Sequence, residues 1–263
     1  IHNDPNGKDT NLMGIKFTAR ISRKYWRYLP QIRYSNKVIS LTTDAKRAVL
    51  EIYGHESVVI PNGIDKTRFY PDMSKRISIT ERFEIVSIGL LYPVKGFEDA
   101  INAIDIVRKT IPHVHLNIIG TGPLFNELET LINNKNLGDN ISLLGHLPHN
   151  EIISYLQKAH IYLLTSISEG FSLSFLEAIS CGLPAISTAV GVATSVISEY
   201  ENGVLIPIHN PEAIAHEIIN MYSFEKIEEY SQKSVNASKS FSWETVAIQY
   251  LDLFEQILLK HDE

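Results

Sequence analysis

Eight short runs rich in Val, Ile and Leu punctuate the chain: KVISL (37–41), SVVIP (57–61), EIVSIG (84–89), VHLNIIG (114–120), NISLLG (140–145), HIYLLT (160–165), PAIST (184–188) and GVLIP (203–207). Most of the intervals between them are helical in period. FEDAINAIDIVRKTI (97–111) sets Ile101, Ile104, Ile106 and Val107 on or near one face, and PLFNELETLINNKNL (123–137) does so with Leu124, Leu128, Leu131 and Ile132. Near-continuous apolar strands alternating with amphipathic helices predict an α/β protein, its parallel sheet covered on both faces. Six of the runs lie beyond residue 83, enough for one doubly wound domain. PDMSKRISITER (71–82) is polar and aperiodic and predicts a linker. WETVAIQYLDLFEQILLK (243–260) predicts a long terminal helix. The division expected is therefore 1–75, the end of a first domain; 76–243, a complete second domain; and 244–263, the terminal helix.

Composition adds few constraints. With 263 residues, 44% hydrophobic and 21% charged, the chain can bury a sizeable core. No apolar run reaches the roughly 18 residues of a membrane span. Cys181 is the single cysteine, which excludes an internal disulfide framework and fits a reducing compartment; its apolar helical setting predicts a buried structural thiol. Charge is more informative. Residues 1–50 carry ten Lys/Arg against three acids, whereas the rest carry fourteen against twenty-seven. A basic leading segment on an acidic body points to an anionic partner near the N-terminal end. FTARISRKYWRYLPQIRYSNK (17–37) contains no acid, and its Arg, Lys, Trp and Tyr residues suit anionic lipid headgroups or a phosphorylated acceptor. The opening IHNDPNG reads as the end of a strand entering a loop with no strand before it, so a fragment of a longer chain is expected.

Ligands of open parallel sheets bind beyond the carboxyl ends of the strands, where loops enter helices. Three such places stand out. In SIGLLYPVKGF, Gly89 ends a strand and Lys95-Gly96 leads into a helix, where a lysine can hold a phosphate. In IIGTGPLF, Gly120-x-Gly122 follows a strand, but Phe125 occupies the third glycine position of a dinucleotide fingerprint, which weakens a NAD reading. In SEGFSLSFLEAISCGLP (168–184), Glu169 and Glu177 bracket a helix start. Ser174-x-x-Glu177 matches a capping box, which gives Glu177 a structural reading; Glu169 has none so direct. An all-helical 169–177 would put the two carboxylates about 12 Å apart along the axis. That is too far for a glycosidase pair, at about 5–9.5 Å, and suits the two ends of an elongated ligand. His113-x-His115 and His146-x-x-His149 lack supporting metal ligands. No P-loop and no nucleophile elbow is present.

Five segments, in order, resemble the GT-B retaining glycosyltransferases of family 4 (glycosyl transferases group 1): VVIPNGIDKTRFYP (58–71), IGLLYPVKGFEDAINAI, IIGTGPLFNELE, EGFSLSFLEAISCGLPAIST with its E-x7-E spacing, and ENGVLIPIHNPEAIAHEI. The resemblance implies a complete C-terminal Rossmann-like donor domain preceded by the end of an N-terminal Rossmann-like acceptor domain, with on the order of a hundred residues missing before Ile1. It implies sugar transfer from a UDP- or GDP-sugar to a glycan or lipid-linked acceptor in surface polysaccharide biosynthesis. No cofactor and no metal are implied. Glu177 would take the ribose; Glu169, with the backbone of Gly170, Phe171 and Ser172, the sugar and diphosphate; Lys95 the leaving diphosphate, beside the glycines Gly89, Gly120 and Gly122. His2 resembles the family's histidine near the transferred sugar. A cytoplasmic protein is implied, with residues 16–37 open to peripheral contact with the inner face of the membrane, and no nucleic-acid partner. One departure matters: the family's Gly-Arg-Leu triplet is Gly89-Leu90-Leu91 here, so one phosphate cation is absent. A catalytically idle sugar-nucleotide-binding module, through that departure or through the missing residues, is one rival reading, and another GT-B enzyme such as a nucleotide-sugar epimerase is a second.

Overall fold

The computed structural model describes residues 2–3, 9–12, 15–16 and 29–259, which fall into two compact units: residues up to Gly63 together with those from Trp243, and Ile64–Ser242. Within the first unit, β1 (His2–Asn3), β2 (Asp9–Leu12) and β3 (Ile15–Lys16) pair antiparallel in that order. After α1 (Leu29–Tyr34), β4 (Val38–Ser40) and β5 (Ser57–Val59) pair parallel on either side of α2 (Thr43–Tyr53). Thr42 caps α2 by accepting from the Ala45 N–H at 3.0 Å, and Gly54 ends it in the left-handed conformation. The terminal helix, α10 (Trp243–Leu259), buries Val246 and Leu253 with Ile60.

Six parallel strands form the second unit: β6 (Phe83–Ile88), β7 (Val114–Ile119), β8 (Ile141–Gly145), β9 (Ile161–Leu164), β10 (Ala185–Thr188) and β11 (Gly203–Ile206). Across the sheet they run β8-β7-β6-β9-β10-β11, which is the 3-2-1-4-5-6 order of the Rossmann arrangement. All six coincide with predicted runs. They were legible because both sheet faces are covered, so that all four residues of β9 are buried. The intervening helices are α3 (Phe97–Val107), α4 (Phe125–Asn134), α5 (His149–Lys158), α6 (Leu173–Ser180), α7 (Gly191–Tyr200) and α8 (Pro211–Met221), followed by α9 (Phe224–Ser238). Ile101 and Ile104 of α3 join Ile85, Leu116 and Ile118 of the sheet and Ile214 and Ile218 of α8 in one core. At roughly 1.5–3 kcal/mol per buried aliphatic side chain, this core holds the strand ends in register.

The two compact units divide at 63/64 and 242/243. Residues 71–82 are stitched to the second unit. Lys75 Nζ donates to Gln157 Oε1 at 2.7 Å, Gln157 Nε2 donates to the Tyr70 carbonyl at 3.1 Å, and Arg76 donates to the Gly182 carbonyl at 3.2 Å. A polar, aperiodic segment need not be a free linker when its side chains find partners far along the chain. Among the described residues no helix is long and apolar enough to cross a membrane. Most of the basic 17–37 segment lies outside the described residues.

Candidate functional site

The strand order reverses between β6 and β9, so the loops leaving those two strands diverge at the carboxyl edge. From β6 the chain passes Gly89, exposed Leu90 and buried Leu91, then a 3-10 turn, Pro93–Lys95, and left-handed Gly96 before α3. This turn lies directly on the end of β9. Thr165 Oγ1 donates to the Lys95 carbonyl at 3.0 Å, the Ile167 N–H donates to the Val94 carbonyl at 2.7 Å, and a Cβ at Gly96 would overlap the Thr165 carbonyl. Gly120 and Gly122, after β7, serve the same close packing. Side chains there would collide with the carbonyls of Gly89 and Leu91 respectively. The three glycines therefore bring backbones together, which is the structural reading of Gly120-x-Gly122.

Lys95 and Glu169 meet across this seam. Lys95 Nζ lies 2.6 Å from Glu169 Oε1, and Ser166 Oγ donates to the same oxygen at 2.7 Å. Both charged side chains are largely shielded, at 22% and 11% exposed, so the pair is stronger than one at the open surface. Glu169 to Ser172 are not helical; α6 starts at Leu173. Val192 N–H donates to the Phe171 carbonyl at 2.9 Å, and Gly191, at φ +52°, allows α7 to approach it. Phe171 is buried, while Gly170 faces open space. Ser172, at the N-cap of α6, holds φ 78°, ψ 78° and gives the helix no side-chain cap. The first N–H groups of α6, which begins four residues after Glu169, have no side-chain cap, an arrangement suited to an anion.

Glu177 corrects the capping-box reading. Ser174 is already inside α6, where its Oγ accepts from the Tyr162 hydroxyl at 2.8 Å, and Glu177 lies too far along the helix to reach back to the cap. Instead, Glu177 Oε1 meets His149 Nε2 at 3.0 Å. Burial pushes the Glu177 carboxyl above the usual carboxylate range, and the hydrogen bond from His149 opposes that shift. His149 also lies against the Phe69 ring, with centroids 5.3 Å apart, and its Nδ1 is 3.4 Å from an Arg68 nitrogen. Sequence reasoning weighs His149 only as a metal ligand and passes over Arg68. Their partners are distant in sequence, so no local spacing could reveal them.

His113 bonds Tyr222 Oη at 2.8 Å, and His115 bonds Ser142 Oγ at 2.8 Å. Among the described residues no group of His, Cys, Asp or Glu converges as a metal site. Cys181 is fully buried, and burial pushes its thiol up to about 12, so it stays protonated and inert. His2 belongs to β1 in the first unit; its side chain lies outside the described residues.

Residues 71–240, well over half of the chain, match the family described as glycosyl transferases group 1. Among curated relatives, an uncharacterized glycosyltransferase of Methanocaldococcus jannaschii is 26% identical over 224 residues, covering 85% of this chain and 60% of the relative. A phosphatidylinositol N-acetylglucosaminyltransferase component from Arabidopsis thaliana is 32% identical over 189 residues, covering 72% of this chain and 41% of the relative. Both relatives are therefore substantially longer than the part this chain spans. Among solved structures, the pneumococcal O-GlcNAc transferase GtfA in complex with UDP and GlcNAc superposes with a TM-score of 0.78 at 24% identity, covering 98% of this chain and 51% of that one. The likeness extends the Rossmann assignment to the GT-B glycosyltransferase fold.

Proposed function

The chain belongs to the glycosyl transferases group 1 family, and from that premise we propose that it serves a retaining, family 4 transfer of a sugar from a nucleoside-diphosphate sugar to a glycan or lipid-linked acceptor. The observation that carries this reading is the Lys95–Glu169 pair at the strand-order reversal, set against the open N-terminus of α6. An incoming diphosphate would compete with Glu169 for Lys95 and also meet the free N–H groups of α6. Glu169, released from Lys95, would accept from hydroxyls of the sugar. Glu177 would accept from the ribose hydroxyls, with Gly170, Phe171 and Ser172 supplying backbone between the two acids.

In the transfer itself the bond from the anomeric carbon to the β-phosphate oxygen breaks. The acceptor oxygen bonds that carbon on the same face, and its proton passes to the leaving phosphate. Lys95 would stabilise the negative charge growing on that phosphate, which is where an electrostatic contribution counts most. His2 would lie at the acceptor side, near the transferred sugar. The UDP in the GtfA structure supports a uridine donor, and the phosphatidylinositol in the Arabidopsis relative's name supports a lipid-linked acceptor. Surface polysaccharide biosynthesis at the inner face of the membrane, through residues 16–37, belongs to the same reading, as does donor binding that EDTA leaves unchanged.

Exposed Leu90 favours a second reading, an idle sugar-nucleotide-binding module, because it supplies no cation to the diphosphate. A donor-hydrolysis assay separates the readings. Turnover that drops at least ten-fold in both Glu169→Ala and Glu177→Ala supports the transferase, tight binding without turnover supports the idle module, and an epimerised donor points to the epimerase. Hydrolysis untouched by either substitution ends the transferase assignment.

A further inference from the structure

His149 is held on three sides. It is the first residue of α5, immediately after Pro148, so its backbone is fixed by the helix start. The buried Phe69 ring packs against the imidazole, and Arg68 and Glu177 occupy its two nitrogens. A guanidinium has donors only, so the Arg68 contact makes Nδ1 an acceptor. The ring proton of the neutral imidazole is then on Nε2, directed at Glu177 Oε1, 3.0 Å away.

The Glu177 side chain is only 14% exposed, and a shielded carboxylate needs a donor to hold one orientation. His149 takes one position on Oε1, leaving Oε2 outside the contact. Arg68, Phe69, His149 and Glu177 all belong to the second unit, so the relay is complete within it. We propose that His149, with its tautomer set by Arg68, is a positioning residue that orients Glu177 toward the ribose hydroxyls of the nucleotide. The inference rests on the reading of Glu177 as the ribose acceptor and adds what keeps it aimed.

The test is equilibrium titration of the whole chain with UDP and with 2′-deoxy-UDP, or with GDP and 2′-deoxy-GDP if the protein takes the purine. The unchanged protein should prefer the ribose form by about ten-fold, the scale of a hydrogen bond to a charged group. His149→Phe keeps the ring against Phe69 and deletes the donor. It should weaken UDP about ten-fold and bring the ribose preference close to one. His149→Gln returns an N–H and should recover most of both. His149→Phe added to Glu177→Gln should cost nothing further, since the two act as one unit. The inference is overturned alone if His149→Phe tightens binding, leaves it unchanged, or weakens both ligands equally, while Glu177→Gln still erases the preference. Absence of binding to either nucleotide, or a ribose preference that survives Glu177→Gln, overturns the underlying reading and the inference with it.

Discussion

At Ser172 the chain takes φ 78°, ψ 78° just before α6, a conformation glycine reaches freely and other L-residues reach at a cost of roughly 1–3 kcal/mol. Its buried Oγ makes no hydrogen bond among the described residues. Ser172→Gly should therefore raise the unfolding free energy by about 1 kcal/mol, part of the strain relief being returned as greater freedom of the unfolded chain. Urea unfolding followed by circular dichroism measures it; an unchanged or lower midpoint would show that the serine is not strained. The sequence could not disclose this strain, because a serine before a helix ordinarily reads as a favourable cap. It likewise suggests a capping role for Ser174, whose Oγ instead accepts from the Tyr162 hydroxyl. Lys95 and Glu169 each stand out by their places at strand ends. Their contact at 2.6 Å spans 74 residues of sequence and has no local signature.

At the scale of elements, the site depends on how closely three turns approach. Gly120, at φ +144°, lets the turn after β7 lie on the Gly89 carbonyl, and Gly96, at φ +65°, lets the β6 loop lie on β9. Gly120→Ala should cost about 3 kcal/mol or more, combining backbone strain with a collision that neither backbone can avoid. Gly170→Ala meets nothing within 4 Å and should change stability by no more than about 0.5 kcal/mol. Paired denaturation curves check the contrast; equal costs at the two positions would refute it. The strands and most helices were legible because burial on both sheet faces writes itself into continuous apolar runs. Helix ends were less so. The 97–111 pattern continues past Val107, where α3 stops, and 169–172 is loop although its sequence runs into the apolar face of α6.

For the molecule as a whole, segment 71–82 was the least legible feature, since its anchors are side-chain contacts made at long range. One of them titrates. His160 is buried at the base of β9, its Nδ1 accepting from the Glu84 N–H at 3.0 Å and its Nε2 donating to the Ile77 carbonyl at 2.9 Å. Burial lowers its pKa from 6.5 to about 4, so the folded state keeps it neutral while the unfolded state protonates it. The stability it contributes is complete above pH 6.5 and is lost progressively as the pH falls toward 4. The loss is about 3 kcal/mol for a separation of that size. His160→Gln should begin less stable and show a flatter decline across that interval. An unchanged slope in urea titrations at pH 6.5, 5.5 and 4.5 would remove His160 from the account.

The function proposed for the carboxyl edge of the second unit, with Lys95, Glu169 and Glu177, is to hold a nucleoside-diphosphate sugar. Calorimetric titration of the whole chain with UDP- and GDP-sugars tests it most directly. Saturable one-site binding to one of the two base series is expected, weakened ten-fold or more by Lys95→Ala and by Glu177→Ala, the scale of a lost charge-assisted contact. Heat-silent titrations with both series, or binding indifferent to both substitutions, would contradict it.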